Sequence, residues 1–355
     1  MKRVSLLCLP LLVVLSSCTK DPVTPETSGA AVPAAKGVYI LNEGDFSDAT
    51  GARLSLYDLA RDTVSIDVVE GANAGQHLGN TGDDMIVFRD RIYLLMSGSE
   101  NIVVVSTADH HIIQSAYFPG RVPHSMVLDS VRNRLYLTEL YRNAVVAVDL
   151  ATLNVVDTVA VGANPQEMLL EGDVLYVCNS GYGSSKTVSV VGLSPLSVVK
   201  TLTLRDGPTG ITRSSDGSIF IACTGNPYSV PAVPGGVYRI NTTTRSVQDS
   251  VVMTDPLWGT VCAGNAGEIF FIGVTPGSFY GGPVHRYSAA SKTLSTSVVG
   301  GTYYGMAVDA SSGDLYVADA KNFASRGEVR IYSQALTLKR TLAVQRGPAV
   351  FAFKR

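Results

Sequence analysis

The chain has 355 residues, long enough for one large or two ordinary domains. Only 16% of them are charged and 46% are apolar, which excludes a disordered bulk. A net charge of −2 gives no basic stripe and so argues against a nucleic-acid partner.

In chain order, Lys2 and Arg3 form a positive opening, and Val4 to Leu15 form an apolar run too short to span a bilayer. The run ends in Leu15-Ser16-Ser17-Cys18, which resembles the lipobox of bacterial lipoproteins. That resemblance implies a signal peptide over 1–17 and a lipidated Cys18 as the mature N-terminus. Several acyl chains on one cysteine give stable anchoring, at about 0.8 kcal/mol per buried CH₂. Residues 18–35 are rich in Pro, Thr, Ala and Ser and read as a tether of about 3 Å per extended residue. The rest, 36–355, has no further apolar run of membrane-spanning length.

From Gly37 onward an apolar–aromatic–apolar triplet recurs. Its copies are Val38-Tyr39-Ile40, Ile92-Tyr93-Leu94, Leu135-Tyr136-Leu137, Leu175-Tyr176-Val177, Ile219-Phe220-Ile221, Ile269-Phe270-Phe271 and Leu315-Tyr316-Val317. Seven copies at a spacing of roughly 40 to 54 residues match the period of a four-stranded propeller blade. Eight to ten residues ahead of a triplet lies a short apolar strand marked by Met85, Met126, Met168, Ile211, Thr260 or Met306; alternating strands follow it. The predicted fold is therefore all-β: one seven-bladed β-propeller over 36–355, without a second domain. The first unit lacks its opening strand, and Gly347 to Phe353 reads like the missing piece, so the C-terminal strand is expected to join the first blade and close the ring. The triplet aromatics are expected to pack between blades.

With strands A to D counted from channel to rim, the D–A and B–C loops share one face, the top. The A–B and C–D turns, such as Asp149-Leu150-Ala151-Thr152, hold turn formers and read as structural. The B–C loops carry Asn42, Glu43, Asp45 and Phe46; Glu139, Tyr141 and Arg142; Asn179 and Tyr182; and Asn226 and Tyr228. Later ones carry Phe279 and Tyr280, then Asp319, Lys321, Asn322 and Phe323. The D–A loops add Gln76, His77, His124, Gln166, Tyr303, Tyr304 and the single tryptophan, Trp258. Aromatics among amides on one rim suit a bulky amphipathic ligand or a protein partner. The competing reading is that several of them pack loop against loop over the channel mouth.

Signatures of chemistry are sparse. No nucleophile elbow, phosphate loop or dinucleotide fingerprint occurs, so no catalytic residue, metal or cofactor is assigned. His77 and His124 fall on the top face of neighbouring units. His110-His111 is expected to face solvent. Glu43, Asp45, Glu139 and Asp319 are candidate acid–base groups that no spacing pairs. Cys178, Cys223 and Cys262 read as buried thiols, with a Cys178–Cys223 bridge as the alternative.

Leu175-Tyr176-Val177-Cys178-Asn179 and Leu135-Tyr136-Leu137-Thr138-Glu139 resemble the repeat core of YVTN/YncE-like propellers. Gly37-Val38-Tyr39-Ile40-Leu41-Asn42-Glu43-Gly44, Asn164-Pro165-Gln166-Glu167-Met168 and Asn179-Ser180-Gly181-Tyr182-Gly183 resemble a group of Bacteroidota lipoproteins that bear this propeller on a short tether. Members of that group capture cobalamin and pass it to an outer-membrane transporter. The resemblance implies a monomeric, lipid-anchored, surface-exposed propeller at the outer membrane that binds a bulky ligand, with cobalamin as the candidate. Its rivals are a protein- or glycan-docking module and, less favoured, a lactonase-like or lyase-like propeller enzyme.

Overall fold

A computed structural model describes residues 33–45, 47–48, 50–278 and 280–355. The expected signal peptide, Cys18 and most of the expected tether lie outside the described residues, as do Phe46 and Phe279.

Seven four-stranded antiparallel sheets follow one another as the blades of a β-propeller. Among the described residues the one α-helix is a single turn, Val68–Ala72, on the way from the first blade to the second. Blade 1 is built from both ends of the chain: Pro348–Lys354 pairs with Gly37–Asn42, which pairs with Arg53–Asp58 and then Thr63–Ser65. The C-terminal strand thus completes the first sheet, as the missing opening strand predicts. Closing the ring removes two sheet edges that would otherwise template association.

In every sheet the rim strand is the most exposed. Strand B of blade 4, Val174–Asn179, is buried at every position because neighbouring sheets cover both its faces. The rim strand of blade 3, Val155–Ala160, is exposed along nearly its whole length. Rim strands carry charge, as at Lys200, Lys339 and Arg340, which discourages edge-to-edge pairing.

The triplet aromatics hold the ring together. Tyr39 packs with Met85 and Leu94 of blade 2. Tyr93 packs with Met126 and Leu128 of blade 3, and Tyr136 with Met168 and Leu170 of blade 4. Tyr176, Phe220 and Phe270 do the same against blades 5, 6 and 7, and Tyr316 returns to Phe351 and Phe353 of blade 1. Each of the seven is at most 4% exposed. Every aromatic thus fills the gap to the following blade, so each of the seven interfaces holds its own apolar cluster.

The turns opposite the top face are closed by their own side chains. Asp149 Oδ1 accepts the amides of Ala151 and Thr152, both at 3.1 Å, and Asn241 Oδ1 accepts that of Thr244 at 2.8 Å. One expectation changes. His110 is half-buried rather than solvent-facing, because its ring meets the edge of Tyr39 and its Nε2 lies 3.2 Å from the Tyr39 hydroxyl. Cys178, Cys223 and Cys262 are all free thiols, so the alternative of a Cys178–Cys223 bridge is not realised. Burial pushes all three up, Cys223 to about 12.

Candidate functional site

Strand A of every blade starts at the top face, because its first residue pairs with the end of strand B, as Pro123 does with Glu139. The register then defines one equivalent position in each blade. Met85, Met126, Met168, Ile211, Val261, Met306 and Phe351 each pair with the third residue of a triplet. In blade 6 this is Val261 rather than Thr260, because one extra residue enters there and Gly259 takes it up at φ +110°.

Two residues ahead of that position stand Asp83, His124, Gln166, Thr209, Tyr304 and Ala349, and the extra residue in blade 6 puts Trp258 beside them. All seven line one cavity at the channel mouth, of about 260 Å³, together with Glu43 and Glu167. Deeper walls are apolar, with Ile211, Val261, Met306 and Phe351. The arrangement is an amphipathic funnel whose rim is polar and aromatic.

Its residues are mutually fixed. The Tyr304 hydroxyl donates to Glu43 Oε1 at 2.8 Å. Glu43 is only 6% exposed, and its Oε2 has no hydrogen-bond partner. Burial, and then the negative charge of Asp83, push the Glu43 carboxyl well above the ordinary range; the Tyr304 bond opposes them. Burial likewise pushes the Tyr304 phenol up, with Glu43 adding to it. His124 Nδ1 lies 3.4 Å from Asp83 Oδ2.

Aromatic rings form one side of the funnel. Trp258 lies 5.5 Å from Tyr304, centroid to centroid. Tyr304 in turn meets Phe323 at 5.0 Å and Tyr280 at 6.0 Å, both edge-to-face, and Tyr280 meets Phe323 at 4.9 Å in the same way. Elsewhere on the top face Tyr182 and Tyr141 join hydroxyls at 3.2 Å, and Tyr228 is 82% exposed.

The sequence-derived candidates therefore separate. Glu43, His124, Gln166, Trp258 and Tyr304 line the channel mouth, with Tyr280 and Phe323 behind them. Tyr141, Tyr182 and Tyr228 stand exposed on the loops around it. His77 is exposed on the connection into blade 2 and does not line the cavity.

Three candidates lie inside the fold and present nothing to a ligand. Asn42 Nδ2 donates to Ile40 O at 3.0 Å, and to Arg53 O and Ser55 Oγ at 3.1 Å. Asn179 Nδ2 donates to Thr187 Oγ1 at 3.1 Å and Ser189 Oγ at 3.0 Å, while its Oδ1 accepts the Gly162 amide at 3.1 Å. Each closes a B strand and turns back to tie it to strand C. Tyr303 is fully buried and its hydroxyl bonds Gly300 O, Tyr332 and Arg330 at 3.0, 3.2 and 3.1 Å.

The four carboxylates do not gather. Asp45 binds its own loop at Ser47, Glu139 pairs with Arg121, and Asp319 lies 3.5 Å from Arg330. Among the described residues no group of three or more His, Cys, Asp or Glu side chains is placed to hold a metal.

Residues 36–347 match the family described as a domain of unknown function, DUF5074. No curated protein matches the chain significantly. Solved structures share its fold. One, titled a quinonprotein alcohol dehydrogenase-like protein from Bacteroides thetaiotaomicron, is 15% identical with a TM-score of 0.69, over 90% of this chain and 78% of that one. A functionally unknown protein from Desulfotomaculum acetoxidans is 13% identical with a TM-score of 0.67, over 90% and 99%. A protein from Lactobacillus plantarum is 16% identical with a TM-score of 0.64, over 91% and 100%. At these identities the likeness is one of fold.

Proposed function

We propose a binding function for this chain, which belongs to the DUF5074 family: a propeller, tethered through a lipidated Cys18, that captures a bulky amphipathic ligand at the top of its channel. The observation that carries the proposal is the convergence of Asp83, His124, Gln166, Thr209, Trp258 and Tyr304 on one cavity from six different blades. A funnel with apolar depth, an aromatic flank and a few fixed polar groups matches the usual make-up of a small-molecule site. At about 260 Å³ it is smaller than most such pockets, which run from about 300 Å³ upward. A bulky ligand would therefore place one limb in the channel and rest its body on Tyr141, Tyr182 and Tyr228.

Cobalamin is the ligand the sequence resemblance puts first. Capture at the cell surface and delivery to an outer-membrane transporter would follow from a lipid anchor on Cys18. Calorimetric titration with cyanocobalamin and with cobinamide tests this. Saturable heat at micromolar concentration, lost in Trp258→Ala, is the expected result; the absence of heat with both corrinoids removes cobalamin from the proposal. Cys18→Ala should move the protein from the membrane to the soluble fraction.

A docking role for a protein or glycan is the second reading. It is favoured by Tyr228 and Val230, 82% and 98% exposed on a single loop of blade 5. A partner retained by the wild type but not by Tyr228→Ser, with no small ligand present, would favour that reading.

A further inference from the structure

We infer that the ligand is an amphipathic amine rather than a corrinoid, whose side chains are amides: its limb in the channel mouth carries a protonated amine, which ion-pairs with Glu43 and lies against the faces of Trp258 and Tyr304. The inference rests on the mouth being the ligand site and names the chemistry of what it takes.

Charge comes first. The side chains lining the cavity include three acids, Glu43, Asp83 and Glu167, and neither a lysine nor an arginine. His124 is the one basic side chain among them, and it stands beside Asp83. Low-dielectric walls around a set of like charges focus the field outward and attract the opposite sign.

The second observation is Glu43 itself. It is 6% exposed, and while Oε1 takes the Tyr304 hydroxyl, Oε2 has no partner. Buried carboxylate oxygens are almost always bonded, and an unmet one is costly. No described side chain bonds Oε2, which leaves it available to a group held in the cavity that Glu43 lines.

Three features select among cations. A guanidinium prefers to grip both oxygens of a carboxylate, and Oε1 is already taken. A hard metal ion needs six or more oxygens, and the described residues hold no metal-ligating group here. An alkylammonium can ion-pair through one carboxylate oxygen while its other N–H groups reach further acceptors at the mouth such as Asp83, and its methylenes and charge both gain from the Trp258 and Tyr304 faces. Burial already holds the Glu43 carboxyl toward its neutral form, with Asp83 reinforcing this and Tyr304 opposing it. Arrival of a cation should therefore drive a proton off Glu43.

The test compares pentylammonium chloride with pentan-1-ol, its neutral counterpart, by calorimetry on the full chain at pH 6 in two buffers of different ionisation enthalpy. Pentylammonium should bind saturably with a buffer-dependent heat that reports proton release, and pentan-1-ol should bind at least tenfold more weakly. Glu43→Gln should weaken pentylammonium at least tenfold and abolish the buffer dependence, even though His124 remains. Asp83→Asn should weaken it two- to fivefold. Pentan-1-ol binding as well as the amine, or full affinity in a folded Glu43→Gln, overturns the inference; the wild-type comparison alone decides if that variant does not fold. Corrinoid heat without any pentylammonium heat removes the amine and leaves the binding site standing. Silence with the corrinoids and with pentylammonium alike removes both the amine and cobalamin.

Discussion

Arg355 Nη2 lies 3.0 Å from Asp309 Oδ1 at the face opposite the channel mouth, with the two side chains 2% and 5% exposed. Asp309 belongs to blade 7 and Arg355 follows the strand that completes blade 1, so this pair and the Tyr304–Glu43 bond fasten the same seam at its two ends. Removing one partner of a buried pair leaves the other uncompensated, at a cost of about 3–5 kcal/mol. Arg355→Ala should lower the urea midpoint accordingly. Deleting 348–355 should cost far more, because blade 1 then keeps three strands and exposes an edge; loss of a cooperative thermal transition is the expected readout.

Tyr176 supports a sharper packing prediction. Its ring is fully buried between blades 4 and 5, and its hydroxyl has no hydrogen-bond partner. Tyr176→Phe should therefore be neutral or stabilising, whereas Tyr176→Ala should cost about 3–5 kcal/mol through the cavity it leaves. Tyr303→Phe provides the contrast. It strips the bonds to Gly300, Tyr332 and Arg330 and should cost about 1–3 kcal/mol, measured by denaturant unfolding.

His285 gives the protein an acid-sensitive point. Its Nδ1 accepts the Ser297 amide at 2.9 Å, which requires that nitrogen to be unprotonated. Burial holds the imidazole below its ordinary value, opposed in part by Asp255. The folded state then binds fewer protons than the unfolded one. The resulting stability is present above about pH 6.5 and is lost as pH falls through the lowered value. His110, lowered by burial and then by Lys354, acts in the same direction. His285→Asn should flatten, though not abolish, the decline in urea midpoint between pH 7.5 and 5.

Glu43 acts with the opposite sign. Its carboxyl is raised, so the folded state binds the extra proton, and stability falls as pH rises from the ordinary carboxylate range through the raised value. Glu43→Gln keeps the shape and removes the ionisation. It should be more stable than the wild type by about 1–3 kcal/mol at pH 8 and nearly equal to it at pH 4. Melting curves at the two pH values check this.

The fold was legible because its signals are local and repeated. Period-2 alternation marks the strands, the aromatic triplets count the blades, and the orphan first triplet points to the strand at the other end of the chain. The channel mouth was half legible. Trp258, Tyr304, His124 and Gln166 stand out by residue type and by their place at the start of strand A, where Tyr304 precedes its strand and the other three are second in theirs. Asp83 and Thr209 occupy the same register position but are ordinary residue types, and choosing by type passes over them. Asn42 and Asn179 show the reverse error. They look like ligand groups, yet each sits where a B strand ends and its amide reaches the neighbouring C strand sooner than it reaches solvent. Side-chain direction at a strand end depends on the adjacent strand, which the local pattern does not contain.

The seven positions around the mouth have a further consequence. Six of them, all but Trp258, belong to none of the apolar clusters that join the blades. Chemistry at the opening is therefore encoded separately from the mortar of the ring. A charge introduced at Thr209, or a ring at Ala349, would change the chemistry of the opening while the wheel itself keeps its shape.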